Sequence, residues 1–408
     1  MTRAALSHIR VLDMSRVVAG PWASQTLADL GAEVIKIERP GSGDDTRGWG
    51  PPYLPAADGS NSRESAYYLS VNRGKHSVAI DIANPRGQAL IRSLSQHCDV
   101  LIENYKVGDL TRYGLGYESL KQANPGLVYC SITGFGQTGP MRHVAGYDFV
   151  IQGIGGLMSL TGERDDQPGG GPQKVGVAVA DLMTGMYATV AILAALAHRG
   201  FSGEGQYIDM ALLDVQVAMT AALSMNYFVS GNLPGRAGNA HANIVPYQVF
   251  EAADGDLVLA IGNDSQFTKF CEAVGCSYAD DPRFATNADR VRNRVLLIDL
   301  LTVLFKLRTV TEWVALLEPL GVPIGPINNL AQVFEHAQVA ARGIKQEVSH
   351  PLREGLPLVG SPMKLSATPP VPPIAPPRLG QHTTPVLAQL LGLDASELAA
   401  LRAARVIQ

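Results

Sequence analysis

Residues 9–38 read IRVLDMSRVVAGPWASQTLADLGAEVIKIE, and this run decides the fold. The apolar stretch Ile9 to Ser15 reads as a buried strand. Pro21 suits the first turn of a helix, PWASQTLADLG, and Gly31 suits its end. Glu33 to Glu38 reads as a second strand. Further on come HSVAIDI, a helical stretch from Pro85 to His97, DVLIENY, a helical stretch near Tyr117 to Ala123, and LVYCSITGFG. Strands alternating with helices at this spacing predict an α/β fold with a doubly wound parallel sheet.

The pattern changes after residue 200. QYIDMAL predicts a strand, DVQVAMTAALSMNYF a helix, and YQVFEAADGDLVLAIG a hairpin turning at Asp254-Gly255. Helices are expected from about Ser265 to Val274, Ala288 to Lys306 and Val310 to Leu317. The division expected is a large α/β domain over 1–225, a smaller inserted α+β domain over 226–325, and a return over 326–408. That return carries ATPPVPPIAPPRLGQHTT, a proline-rich extended segment read as a strap along the surface. No internal repeat is visible.

Composition narrows the classes. The chain has 408 residues, 46% of them hydrophobic and 17% charged, enough for a large core. A net charge of -4 gives no reason to expect nucleic acid or a membrane surface as partner. Cys98, Cys130, Cys271 and Cys276 show no zinc spacing and no CxxC, and read as reduced thiols of a cytoplasmic protein. The start, MTRAALSHIRVLDMS, has no apolar signal core. The most apolar helix, around Ala188 to Ala197, reads as too short to span a bilayer.

Several familiar chemistries lack their motifs. The first strand-turn-helix has no GxGxxG, and no GxxxxGK[ST] occurs. None of the nine histidines forms HExxH, and there is no GxSxG. A dinucleotide oxidoreductase, a metal hydrolase and a serine hydrolase are therefore poor readings. No metal site is expected.

What remains is an acid, a glycine-rich approach to it, and basic loops. Asp181 stands in VADLMTG, ahead of an apolar helix. It reads either as an N-cap or as a carboxylate nucleophile whose ionised form the helix dipole favours. The glycines between Gly134 and Gly171 read as tight turns or as backbone N–H groups for an oxyanion. Arg39, Arg73, Lys75, Lys106 and Arg112 follow successive strands. They are surface charges, or they converge on an anion such as a phosphate. Val17, Val18 and Ala19 lie at a strand's carboxyl end, where open α/β sheets bind ligands.

At this point the chain resembles the class III CoA-transferases, the family that includes carnitine and formyl-CoA transferases and the α-methylacyl-CoA racemases. The resemblance runs through residues 12–47, VNRGKHSVAIDI, DVLIENYKVG, SITGFGQTGP, GYDF, VADLMTG and LGQHTTPVL. It implies that Asp181 is the nucleophile of a D-x-x-T-G motif. Coenzyme A would lie against Val18 and Ala19. Arg39, Asn72, Arg73, Gly74, Lys75, Asn104, Tyr105, Lys106 and Arg112 would be near its nucleotide and phosphates. Ala145, Gly146, Tyr147 and Asp148 would flank the pantetheine and thioester. It further implies an interlocked ring homodimer, and CoA as substrate rather than a tightly bound cofactor.

Two departures narrow the subgroup. Tyr147 stands where the racemases carry histidine, and a tyrosine with pKa of about 10 is a poor acid–base replacement. GRAGNAHANIVPYQVFEAADG lacks the glycine run of the formyl transferases. AHANIVPYQVF and GVPIGPINNL look most like dicarboxylate transferases of the succinyl-CoA:glutarate type. Arg236, His241 and Asn243 would then hold a distal carboxylate, or simply satisfy their loop. The alternatives are an α-methylacyl-CoA racemase and a non-catalytic CoA-binding protein.

Overall fold

A computed structural model describes residues 4–56 and 59–408. Contacts divide these into two units: one of 4–56, 59–157, 175–225 and 338–408, the other of 158–174 and 226–337. The sequence-based division differs at two places. Residues 158–174 pack with the second unit, and that unit runs to Ala337 instead of 325.

The first unit is built on a six-stranded sheet. Its spatial order is Lys75–Ala79, β2 (Glu33–Glu38), β1 (Arg10–Asp13), Val100–Glu103, Val128–Thr133 and Tyr207–Ala211. Every neighbouring pair is parallel. Register sets Val11 opposite both Val34 and Val100, and Leu12 opposite Ile35 and Leu101. The central strands are buried along their length, as a sheet covered on both faces requires. On one face Ala23 and Leu27 of helix α1 (Ala19–Asp29) pack with Ala188 and Ile192 of the long helix Val179–Ser202. On the other, Ile91 and Leu94 pack with Leu387, Leu398 and Leu401 from the end of the chain. The sheet is therefore doubly wound.

Strand order reverses between β1 and Val100–Glu103: two strands lie outward of β1 on one side and three on the other. A crevice opens at the carboxyl ends of strands where connections leave in opposite directions. The fold thus puts its ligand-accepting edge beside residues 14–19 and 104–107.

The proline-rich stretch lies against this unit. Val371 N–H donates to Asp29 O (2.8 Å), and Gly74 N–H to Ile374 O (2.9 Å). Tyr68 Oη and Arg47 Nη2 both donate to Pro377 O. The last residues return to the sheet edge, where Ile407 bridges Ile80.

The second unit holds an antiparallel sheet in the order Ile324–Pro326, Asp256–Ala260, Tyr247–Glu251. Its core joins Phe250, Phe267, Phe270, Phe305 and Trp313, with Trp313 Nε1 donating to Phe305 O (2.8 Å).

Four local expectations change. The helix expected from Pro21 begins at Ala19. DVQVAMTAALSMNYF is two helices, Leu212–Met219 and Ala221–Ser230, bent by 69° where Ala221 takes φ 40°. Ala288 to Lys306 is likewise split at Asn293. The most apolar helix extends over 24 residues, long and apolar enough to cross a membrane by length and composition. Yet its Ala180, Ala188, Ile192 and Ala195 are packed into the core of the first unit. The hairpin Lys345–His350 with Arg353–Val359 has no counterpart in the sequence reading.

Candidate active site

The turn after β1 is clamped from both sides. Ser15 donates its N–H (3.0 Å) and hydroxyl (2.5 Å) to Asp13 Oδ1. Arg16 N–H donates to Asn104 Oδ1 (2.9 Å) and Asn104 Nδ2 returns a bond to Arg16 O (2.7 Å). One amide side chain therefore ties the loops following two adjacent parallel strands. Val17 takes φ 71°, a region a β-branched residue rarely adopts, with its N–H on Asp44 Oδ1 (3.2 Å). Strain of this kind persists where the surroundings over-determine it, and it clusters at functional sites.

The cleft over this turn is lined by Val18, Ala19, Asn104, Tyr105, Lys106, Ala145, Gly146, Tyr147 and Asp181. Nine of the residues expected in the site are thus brought together. Three glycines make its wall possible. A Cβ on Gly134 would stand 2.6 Å from Gly146 Cα, so the two backbones touch there. Gly185, one turn after Asp181, has no room for a Cβ beside Ala19 O (2.6 Å), which lets the long helix press onto α1.

Asp181 is not an N-cap. It is the third residue of the long helix, whose cap position is Ala178 with no side-chain bond. The anion at this helix end is Asp148. Its Oδ1 accepts from the N–H groups of Ala180 (2.8 Å) and Asp181 (3.2 Å), and its Oδ2 from Gln152 Nε2 (2.6 Å). Gln152 Oε1 in turn accepts from Val175 N–H (2.9 Å). Among the described residues no donor holds the Asp181 carboxylate, which is 9% exposed and faces the cleft. The expectation that the dipole favours its ionised form is therefore corrected. Burial, with the Asp148 charge beside it, pushes the Asp181 carboxyl up to about 7. The Asp148 carboxylate, expected to flank the thioester, is turned to the helix end.

The remaining expected residues fall into three groups. Arg39 and Arg112 line a second recess, which shares Arg16, Asp45 and Tyr105 with the first. Asn72, Arg73 and Lys75 offer nothing to the cleft. Lys75 Nζ is buried on Asp13 (3.1 Å), Pro21 O (2.9 Å) and Asn72 Oδ1 (2.9 Å). Arg73 is bonded through Nε (2.8 Å) and Nη2 (2.5 Å) to Asp29. Gly74 supplies a positive φ and the N–H that meets Ile374. The phosphate reading of Arg73 and Lys75 is corrected accordingly: their charges are matched inside the fold.

Arg236, His241 and Asn243 belong to the second unit. Arg236 is ion-paired with Asp165 and donates Nε to Glu163 O (3.2 Å). His241 Nδ1 accepts from Asn243 N–H (3.0 Å), and the Asn243 amide pairs with Asn226. These bonds match the loop-satisfying alternative. Gly170 and Gly171 also lie in that unit, with their N–H groups on Gln167 O and Glu163 O, so they are not oxyanion donors.

Arg16, Asp45, Arg142 and His143 line the cleft without having been singled out from the sequence. Tyr67 was missed as well. It stands near enough to Asp181 and Asp148 that, after burial, their charges push its phenol up. Trp49 packs edge-on against it at 5.2 Å. Arg16, next to the strand-end residues already noted, was the findable one. Tyr67 lies far from any motif and carries no sequence signal.

Residues 6–383 match the model of CoA-transferase family III. A succinate--glutarate CoA-transferase of Agrobacterium fabrum is 50% identical over 94% of this chain and 95% of its own length. The human succinyl-CoA:glutarate CoA-transferase is 43% identical over 98% of this chain and 90% of its own. Among solved structures, a CAIB/BAIF family protein from Brucella suis superposes with a TM-score of 0.84. That structure is 46% identical, covering 95% of this chain and all of that one. The chain belongs to CoA-transferase family III.

Proposed function

We propose that this enzyme moves CoA from succinyl-CoA to a dicarboxylic acid such as glutarate, with Asp181 as the covalent carrier. The relatives named for those two substrates motivate the pairing. The observation that carries the chemistry is the unpartnered Asp181 carboxylate facing the cleft beside a second acid. A carboxylate whose charge is poorly solvated is the more basic nucleophile. Its attack on the thioester carbonyl forms an acyl-aspartyl anhydride and expels the CoA thiolate. The thiolate then attacks the aspartyl carbonyl, releasing the donor acid and leaving an aspartyl-CoA thioester. The acceptor carboxylate attacks that thioester, expelling the CoA thiolate and forming an acceptor–aspartyl anhydride. The thiolate then attacks the acceptor's carbonyl, giving the product acyl-CoA and freeing Asp181. Each step exchanges one activated acyl group for another of similar energy.

CoA would lie in the paired recesses, its pantetheine arm along Val18, Ala19 and Gly146 and its phosphates near Arg16, Arg39, Lys106 and Arg112. The working form is inferred to be an interlocked homodimer. Exposed Phe149, Val150, Ile154, Met186, Tyr187 and Val190 on two helices of the first unit give a second copy apolar surface to cover. Four free thiols suit a cytoplasmic location.

Hydroxylamine added during turnover should convert Asp181, and no other acid, to a hydroxamate detectable in its peptide. Asp181→Asn should bind CoA while losing transfer. Transfer near the wild-type rate in that variant would defeat the proposal. Exchange of the α-proton of a 2-methylacyl-CoA without acyl transfer would instead favour racemisation.

A further inference from the structure

The second unit contains a pair of thiols that the transfer chemistry does not use. Helix Asp264–Val274 ends with Gly275 at φ 72°, and two bonds close its last turn. Cys276 N–H donates to Cys271 O (3.0 Å), and Gly275 N–H to Glu272 O (3.3 Å). This 6→1 and 5→2 pattern is a Schellman cap, which brings the side chains at its two outer positions into contact. Here both outer positions are cysteine. Cys271 is buried among the aromatic side chains of the core, whereas Cys276 is partly open. The Cys271 and Cys276 thiols are hydrogen-bonded to each other, and the N–H of Tyr278 points to Cys276 Sγ. Those bonds hold Cys276 at about 7 against the effect of burial, and Cys271 is driven up. The other two thiols differ. Burial pushes Cys98 up to about 12 and raises Cys130 as well.

We propose that Cys276 and Cys271 form an oxidisable dithiol, in which Cys276 reacts first with a low-molecular-weight disulfide and Cys271 then closes an intramolecular bond. In the first step the Cys276 thiolate attacks one sulfur of the disulfide RSSR. A mixed disulfide Cys276–S–SR forms and RS⁻ leaves. In the second, Cys271 gives its proton to RS⁻ and attacks Cys276 Sγ, expelling the second RS⁻, which takes up a proton from water. The protein loses two hydrogens and RSSR becomes two RSH. Thiol–disulfide exchange needs only an available thiolate, a resolving thiol within reach and a path in. The cap supplies the reach, because it brings the side chains at the two ends of its 6→1 bond into contact.

The test uses the full-length native protein and oxidised glutathione, followed by mass spectrometry of peptides. Wild type should end with the 271–276 peptide lighter by two hydrogens and free of glutathione. Cys271→Ala should stop at the mixed disulfide on Cys276. Cys276→Ala should leave Cys271 a thiol. Alkylation of native wild type should label Cys276 at least about tenfold faster than Cys98 or Cys130, in line with its larger thiolate fraction. Glutathione retained on Cys276 of wild type would overturn the resolving role of Cys271. Labelling of Cys276 no faster than Cys98 would overturn the whole proposal. Far-UV circular dichroism and thermal melts of both variants separate these outcomes from misfolding.

Discussion

Lys36, Arg47, Arg73 and Lys75 come from the same part of the chain as Arg16 and Arg39, yet the fold uses them in opposite ways. The first four are inside the fold, with their side chains all but closed to solvent. Each meets a carboxylate: Asp44 (2.8 Å), Glu38 (2.7 Å), Asp29 (2.5 Å) and Asp13 (3.1 Å). Lys75 and Lys36 hold Asp13 at about 2, although burial pulls it the other way, and burial draws Lys75 itself down to about 7 despite the Asp13 charge. Arg16, Arg39, Lys106 and Arg112 are exposed along the two recesses. Arg16 and Arg112 have only solvent-facing acid partners, Asp45 and Asp109. For Arg39 and Lys106 no ion pair occurs among the described residues. A cation matched inside the fold sets the shape of the turn above it. A cation left open is available to a ligand's phosphate. Sequence position alone does not separate the two, because both kinds follow strand ends.

The largest effect is expected at Lys75. Lys75→Met leaves Asp13 buried without its partner and should cost ~3–5 kcal/mol of stability, read by urea unfolding. Pairing it with Asp13→Leu should restore most of that loss, since an apolar replacement of a whole buried pair is often neutral. If Lys75→Met instead folds normally and only weakens acyl-CoA binding, Lys75 belongs with the ligand-facing cations.

Asp181 offers the next largest effect. In the folded chain its carboxyl keeps a proton up to about pH 7, against 3.8 ordinarily. The folded form thus binds more protons in that window, and stability falls as pH rises through it. Asp181→Asn should match wild type near pH 4 and exceed it by ~2–4 kcal/mol at pH 8. Equal stability at both values would mean that this carboxylate is well solvated. Transfer by the wild type should rise with pH through about 7 as the nucleophile ionises.

Smaller effects are expected at the open cations. Arg39→Ala and Arg112→Ala should raise the Michaelis constant for acyl-CoA about tenfold each, with turnover and melting temperature nearly unchanged. Unchanged constants in both would leave these cations as surface charge only. The mildest test is salt. Going from low to physiological ionic strength should weaken acyl-CoA binding and leave the unfolding midpoint almost where it was, because buried pairs are poorly screened.

Much of the fold was legible because it follows from apolar runs and turn residues. Glu33–Glu38 and Val310–Leu317 match their expected bounds, and Asp254-Gly255 turns the hairpin as read. The breaks at Ala221 and Asn293 were not, since the residues on both sides keep helical character and only packing decides where the axis turns. At the site, Asp181 and the residues nearest it could be picked out from motif and resemblance. Which carboxylate takes the helix N–H groups could not. Asp148 lies 33 positions from Asp181, and their relation arises only when the 148–154 helix docks beside the long one. The same reason hid the partners of Lys75 and Arg73, which stand 62 and 44 positions away.

The pairs inside the fold also give the molecule a thermal character. Hydration of charged groups becomes less favourable on warming, so the penalty for keeping ions out of water shrinks as temperature rises. The apolar contacts of the sheet faces, in contrast, gain little at the warm end. The floor beneath the strained Val17 turn is therefore the part of this enzyme whose hold on its own geometry improves relative to the rest with heat.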